Sequence, residues 1–428
     1  MPRPVAHDPY AALRLPEYRA FLASMGAVFI ATQIQSAVLG WQVYALTRDP
    51  LSLGLVGLAE ALPFLALTLV GGWAADRADR RALSLASLAT VGASGAGLLL
   101  LSLGTPRSAL PFYAVQALAG VGRAFFRPCS FALGAELVPT EHYENAAAWR
   151  SSVLHTAMVL GPAAGGALIA LGGPRLAYGV VVGLTAAGFA ALTAIAPRPR
   201  PATPGGRFTV ELADGIRFVV GQPELLAAMS LDLFGVLFGG ATALLPVFAR
   251  DVLRVDEVGF GFLRAAPAIG SVAMSLSLAR LGQLRRAGAT LLWSVAFFGV
   301  SWIAFALSRS YALSLALLTA GGALDNVSVV LRGTLLQTMT PQEKMGRVAA
   351  VSSFFIGSSN ELGAFESGVA ARLLGVVPAV VFGGAMTLFT VGVIAWRAPT
   401  LRRLQRIEPR AAARAPRADR PAAAMRPR

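Results

Sequence analysis

The sequence predicts an all-α membrane protein of twelve transmembrane helices, arranged as two pseudo-symmetric six-helix bundles. Three observations carry that expectation. Charged residues make up 14% of the 428 positions and hydrophobic residues 55%, with a mean hydropathy of +0.63, whereas a water-soluble domain carries about 25% charge. Twelve apolar runs are each long enough to cross roughly 30 Å of hydrocarbon. The halves also repeat weakly: a shift of 202 residues lays Gly120 on Gly322, Pro139 on Pro341, Glu141 on Glu343 and Ala147 on Ala349. Each matched stretch reads as a polar-studded helix, a Pro-x-Glu turn and a second helix, as expected of bundles related by an axis along the membrane normal.

In chain order the runs fall at 21–46, 51–75, 83–103, 110–134, 146–171, 176–195, 225–248, 259–278, 289–307, 312–337, 348–374 and 379–396. They lack two-residue alternation and are about twice too long for barrel strands, which excludes a β-barrel. The first nineteen residues are polar and do not resemble a signal peptide, so the first run is expected to remain as a helix. Residues 1–196 form the expected N-terminal bundle and 223–397 the C-terminal one. Between them, 197–222 is a cytoplasmic linker, Pro-, Gly- and Arg-rich at first. Its second part reads as an amphipathic helix with Phe208, Leu212, Ile216 and Val219 on one face, suited to lying on the membrane surface. Residues 398–428 read as a basic, disordered cytoplasmic tail whose charge suits anionic headgroups.

Charge placement orients the chain. Counting Arg and Lys in alternate gaps gives 25 on the side of both termini and 6 on the other, the six being Arg48, Arg107, Arg175, Arg250, Arg254 and Arg309. The positive-inside rule then puts both termini in the cytoplasm of a multi-pass protein of the cell (inner) membrane. The net charge of +15 is accounted for by this topology, so no nucleic-acid partner is expected. The single cysteine, Cys129, excludes an intramolecular disulfide and a thiolate metal cluster.

The stretch Gly71-Gly72-Trp73-Ala74-Ala75-Asp76-Arg77-Ala78-Asp79-Arg80-Arg81 is a short charged turn between the second and third runs. A turn so brief forces antiparallel neighbours. It resembles the signature between helices two and three of the major facilitator superfamily, with Gly72, Asp76, Arg77, Arg80 and Arg81 in matching places and Asp79 in place of a glycine. In the fifth run, Gly161-Pro162-Ala163-Ala164-Gly165-Gly166 resembles the motif of exporters in that superfamily. Pro162 removes a backbone hydrogen bond and is expected to kink the helix, while Gly165 and Gly166 permit close helix approach. Residues 15–400 resemble the enterobactin-exporter-like branch, through Trp41-Gln42-Val43-Tyr44, Arg123-Ala124-Phe125-Phe126-Arg127-Pro128 and Ser358-Ser359-Asn360-Glu361-Leu362-Gly363. The resemblance implies the major facilitator fold and secondary transport by alternating access. One departure stands out. Relatives often carry an arginine tied to proton coupling in helix four, where this chain has Gln116; Arg123 and Arg127, nearer the cytoplasm, can substitute.

An ionisable side chain at bilayer depth costs several kcal/mol unless it is paired or lines a wet cavity, so each is a functional candidate. Arg123 and Arg127, four apart, share a helix face, as do Asp325 and Arg332, seven apart. The 202-residue shift sets Arg123 opposite Asp325, either as a cavity-facing pair or as a fixed salt bridge between halves. Asp325 and Glu361 are the first candidates for proton coupling, with Glu60 and Asp232 beside them. Glu366 and Arg264 fall in the outer half, where they can pair with each other. His155 suits either a proton switch or helix packing. Gln33, Trp41, Gln116, Arg123, Arg127, Asn326, Arg332 and Asn360 are the expected lining of a substrate cavity, although neutral polar groups of this kind also serve simply to join helices.

A cytoplasmic gate is expected at the charged turn. There Asp76 would face the positive end of the eleventh helix near 346–348, and Arg77, Arg80 and Arg81 would pair with Glu136. No phosphate-cradling loop accompanies Lys344, and the scattered His7, His142 and His155 offer neither metal spacing nor a nucleophile–base pair. The expectation is therefore a non-enzymatic transporter without cofactor or metal, acting as a monomer in the bilayer. It would be an antiporter exporting a small siderophore-like or anionic molecule against protons. A broad multidrug efflux transporter is the alternative, and a lysophospholipid transporter a more distant one.

Overall fold

The computed structural model describes residues 8–197, 208–281 and 286–405, excluding the side chains of Leu69, Asp76, 208–212, Leu281 and Gln342. All regular structure among these residues is helical. The first four long helices are α1 (Pro16–Thr47), α2 (Pro50–Arg77), α3 (Arg80–Leu103) and α4 (Leu110–Glu136). Their starts follow from local chemistry. The Asp49 carboxylate accepts from the Leu51 N–H ahead of α2, with Pro50 at its first position, and Asp79 accepts from Arg81 and Ala82 ahead of α3. Each satisfies amide groups that a helix cannot bond internally.

The stretch Tyr143–Thr193 is two helices, α5 (143–171) and α6 (174–193). Gly172 and Gly173 leave helical dihedrals between them, Gly173 with φ +68°, a value that side chains disfavour. The helix runs on through Pro162, and the non-helical break falls at these glycines instead.

The linker helix is α7 (Phe208–Val220). Then come α8 (Pro223–Gly239), continued by irregular turns to Val252, α9 (Glu257–Leu281) and α10 (Ala287–Leu307). Last are α11 (Tyr311–Met339), α12 (Met345–Leu374) and α13 (Val376–Arg397).

Nine described segments are long and apolar enough to cross a membrane. One of them covers both α5 and α6, which makes ten helices; α4 and α12 fall outside the nine. Both carry charge within their length: Arg123 and Arg127 in α4; Glu361 and Glu366 in α12. Adding these two is consistent with the twelve expected.

In the first bundle α1 packs on the α5–α6 stretch, α2 on α4, and α3 on α4 and on α6. In the second, α9 packs on α11, α10 on α11 and α13, and α8 on α12 and α13. The bundles meet chiefly along two seams, α2 with α12 and α5 with α9.

Two expectations need correction here. The linker-helix face expected to lie on the membrane surface is divided, one of its described residues packing against the C-terminal bundle. Val219 is buried among Leu225, Met229, Val348 and Val351, while Ile216 is exposed; the side chains of Phe208 and Leu212 lie outside the described residues. Asp214 clasps the helix to the start of α12, accepting from Arg347 at 2.7 Å with Lys344 at 3.6 Å. The Arg347 hydrogen bond, followed by the Lys344 charge, holds the Asp214 carboxyl below its ordinary range.

The tail is also ordered in its first part. Residues 399–402 form a helical turn with Leu401 buried. The Gln405 carbonyl accepts from Arg286 N at 2.7 Å and the Leu404 carbonyl from Gly288 N at 3.1 Å. These carbonyls satisfy the free amides at the start of α10. Residues 406–428 lie outside the described residues.

Candidate functional site

An ionic cluster joining the two bundles forms where α2, α4 and α12 meet. Arg123 of α4 pairs with Glu60 of α2 and lies 3.6 Å from Glu361 of α12. Gln116 Nε2 donates to Glu60 Oε2 at 2.6 Å, and Gln35 Nε2 donates to Gln116 Oε1 at 3.3 Å and to Ser94 Oγ at 3.2 Å. The Arg123 guanidinium also sits 5.7 Å from the centre of the Phe64 ring. The cluster satisfies its charges internally, as groups at this depth must, and it spans both bundles. The expected Arg123–Asp325 pair is not formed. Arg123 belongs to an α4 packed on α2 and α3, whereas Asp325 belongs to an α11 packed on α9 and α10; the carboxylates beside Arg123 are Glu60 and Glu361.

One turn further along α4, Arg127 is exposed and makes no ion pair among the described residues. Glu361 across the interface is the carboxylate in its field. Phe131, a turn on, is exposed as well and lies under Arg150 at 4.5 Å. The face of α4 from Arg123 to Phe131 thus passes from a neutralised cation to an open one.

A second cluster lies inside the C-terminal bundle. Arg332 pairs with Asp232, both nearly fully buried. They line a cavity of about 170 Å³ together with Asp325, Asn360, Thr242 and Trp302. Asp325 makes no ion pair among the described residues.

Several expected lining residues serve packing instead. Gln33 lies against Gly161 between α1 and α5. Trp41 is buried against Phe260, ring centres 5.1 Å apart, in the seam between bundles. Asn326 donates to Ser275 at 2.9 Å, joining α11 to α9. Gln116 is buried in the carboxylate network. Trp41, Asn326 and Gln116 therefore leave the expected cavity wall because their hydrogen bonds or ring face are committed to a neighbouring helix. Arg264 is not paired with Glu366; its Nη2 donates to Ser36 Oγ of α1 at 2.7 Å. His155 is bonded to the carbonyl of Ser151 on its own helix.

The turn after α2 is tied within the first bundle. Arg80 pairs with Glu136 at 2.5 Å, Arg81 donates to the Thr193 carbonyl at 2.9 Å, and Arg77 stacks 4.8 Å from the Trp73 ring. Among the described residues Arg80 pairs with Glu136, and since α3 and α4 belong to one bundle that pair does not cross the cleft. Gly72 has open space where a Cβ would stand. The Asp76 side chain lies outside the described residues.

The opposite end is different. Tyr44 donates to Asp251, Arg48 lies 3.5 Å from the same carboxylate, and Arg372 pairs with Asp49. All three contacts cross between bundles. Gly54 abuts Phe365 and Gly368, and Gly166 abuts Gly261, with no room for a side chain at either point. Sequence reasoning treated Arg48 only as a topology marker and did not single out Asp49, Asp251 or Arg372. The available signal was the cluster of oppositely charged residues at the ends of runs one, two, seven and eleven.

Comparison with known proteins adds the family. A model described as transmembrane secretion effector matches residues 7–424. The enterobactin exporter EntS of Escherichia coli O1:K1 / APEC is 30% identical over 336 residues, 75% of this chain and 79% of that one. EntS of Shigella flexneri is 29% identical over 75% of this chain and 78% of its own. This chain belongs to the major facilitator superfamily, in its enterobactin-exporter-like branch.

Solved structures agree on the fold. An inward-facing bacterial homologue of the lysosomal transporter Spinster superposes with a TM-score of 0.69 at 15% identity, covering 93% of this chain and 97% of that one. A D-xylose–proton symporter gives 0.69 at 14%, covering 89% and 97%. Within this superfamily member the exporter-type motif has a visible packing role: Gly161 and Gly165 receive α1, and Gly166 receives α9 of the other bundle.

Proposed function

We propose that this membrane transporter exports a small anionic molecule by alternating access, linked to protons. The observation that carries the reading is the Glu60–Arg123–Glu361 cluster. It is the mid-depth ionic contact between bundles, and it stands beside the open cation Arg127. Both termini and the arginine-rich end face the cytoplasm in this reading, so the described state is closed outward and open inward. An anion entering from the cytoplasm meets Arg127 first. Its charge competes for the arginine field that holds Glu361, and loosening that tie frees α12 from α4. Protons on Glu361, Glu60, Asp325 and Asp232 neutralise the carboxylates in the complementary half-cycle. EntS is named for enterobactin export, and a siderophore-like anion suits Arg127 for the same chemical reason.

A second reading, efflux of cationic drugs, draws on Asp325, a carboxylate of the C-terminal cavity with no ion pair among the described residues. The sign of proton linkage separates the two. An anion at Arg127 lies in the field of Glu361, so protonation there strengthens binding and affinity rises as pH falls. A cation at Asp325 is opposed by protonation, and affinity falls with pH. Uptake of catecholate siderophores into inverted vesicles, with and without a pH gradient, tests the proposal. Arg127→Ala should reduce uptake at least tenfold, and Glu361→Gln with Asp325→Asn should abolish its dependence on the gradient. Gradient-linked flux that survives both carboxylate changes would overturn the coupling assignment.

A further inference from the structure

The arginine-rich end of α10 carries a cavity outside both ionic clusters. It measures about 360 Å³ and is lined by Arg286, Ala289, Thr290, Trp293, Ser294 and Phe297, with Leu324 of α11 at its floor. Trp293 and Phe297 are stacked, ring centres 5.6 Å apart, and both are more than half exposed. Val300 and Leu307 continue the exposed apolar stripe at helical spacing, which marks this face of α10 as turned to hydrocarbon. At 1.5 Å rise per residue, Trp293 stands about 10 Å and Phe297 about 16 Å below Arg286. The cavity therefore has a cationic mouth at the level of the helix start and an aromatic wall running into the membrane.

The chemistry of the mouth is one-sided. Thr290 Oγ1 donates to the Arg286 carbonyl at 3.1 Å and Ser294 Oγ to the Thr290 carbonyl at 2.7 Å, so neither hydroxyl proton is left for a ligand. The Arg286 guanidinium is exposed and makes no ion pair among the described residues. The docked segment 399–405 brings exposed Arg402 and Arg403 to the same helix end. No acidic residue occurs between Glu257 and Asp325, or between Glu366 and Glu408.

We propose that this cavity binds one anionic phospholipid, its phosphate on Arg286 and an acyl chain along Trp293, Phe297 and Leu324. The length of the wall and the charge of the mouth match that amphiphile, and the site is independent of the transport reading. It is also distinct from diffuse attraction of a basic tail, because one guanidinium above one aromatic wall selects a single molecule.

Trp293 reports on its own occupant. The full-length chain is reconstituted into phosphatidylcholine vesicles containing a minor fraction of phosphatidylglycerol, with brominated acyl chains placed on one lipid or the other. The Trp293 signal is taken as the difference between the wild-type chain and Trp293→Phe. Brominated phosphatidylglycerol should quench it about fivefold more per molecule than brominated phosphatidylcholine, the effect of one basic residue beside an anionic lipid. The preference should fall to about unity in Arg286→Asn, a residue that tolerates the left-handed backbone at this position (φ 65°). In the wild-type chain it should also shrink as salt is raised to about 1 M, where the screening length is near 3 Å. Equal quenching by both lipids would reduce the cavity to ordinary lipid contact and overturn the proposal. So would a preference that persists in Arg286→Asn, or one abolished by millimolar inorganic phosphate at constant ionic strength, which would assign the mouth to a soluble anion.

Discussion

The two ends of the molecule are built on opposite principles. At the end bearing Asp49 and Asp251, charges and glycines reach across to the other bundle. At the arginine-rich end the contacts among the described residues stay at home: Arg80 with Glu136, Arg81 with Thr193, Asp214 with Arg347. Glycine neighbours follow the same division, since Gly54 and Gly166 meet the opposite bundle while Gly71 and Gly134 meet their own. A cleft between two rigid bundles closes where surfaces can interlock and opens where each bundle has satisfied itself. The mid-depth Glu60–Arg123–Glu361 cluster marks the boundary between the two regimes.

The comparison can be broken most severely at that boundary. Arg123→Ala strands two buried carboxylates and should cost about 3–5 kcal/mol, read as a large drop in the thermal stability of the purified chain. Next, Gly54→Leu forces a side chain into the α2–α12 seam. Overpacking of about 1–3 kcal/mol should shift the population toward an open far end by tenfold or more, seen in spin-label distances across that end. Gly72→Ala, set in open space, should leave those distances unchanged.

Smaller effects sharpen the picture. Asp251→Asn and Asp49→Asn remove partly exposed pairs, each worth about 0.2–1 kcal/mol, and should loosen the far end in a salt-sensitive way. Arg80→Gln should lower stability by a similar amount yet leave the open and closed populations unaltered, because its partner moves with it. Smallest is the linker clasp. Asp214 is held below its ordinary carboxylate range, so the clasp contributes at neutral pH and is lost as pH falls through that lowered value. Protease protection of α7 should therefore match that of Asp214→Asn in acid and exceed it at pH 7.

Much of the fold was legible because membrane helices are written in length and hydropathy. The twelve runs, the short turn at 71–81 and the polar character of the runs holding Arg123 and Glu361 all follow from that. The site was legible only as a set of residue types. Periodicity places Arg123 and Arg127 on one face of α4, but it does not say which neighbour that face meets. The 202-residue repeat pointed to Asp325, yet local packing gives Arg123 its closest carboxylates on α2 and α12. Trp41 and Asn326 carry the same ambiguity, since a polar or aromatic group in a membrane helix can line water or tie helices. The far-end contacts escaped for a related reason: Asp49 and Arg372 are 323 positions apart, and no local pattern connects them.

The two helices too polar to pass as free-standing spans have a consequence for how the chain is made. An arginine or aspartate at the centre of an inserting helix costs about 2.5–3.5 kcal/mol. When α4 leaves the ribosome, Glu60 is already in place to receive Arg123. Glu361 emerges more than two hundred residues later, and its cation waits in a bundle finished long before. Arg123 thus settles on Glu60 before α12 exists, and Glu361 then adds the tie from that finished bundle to the second.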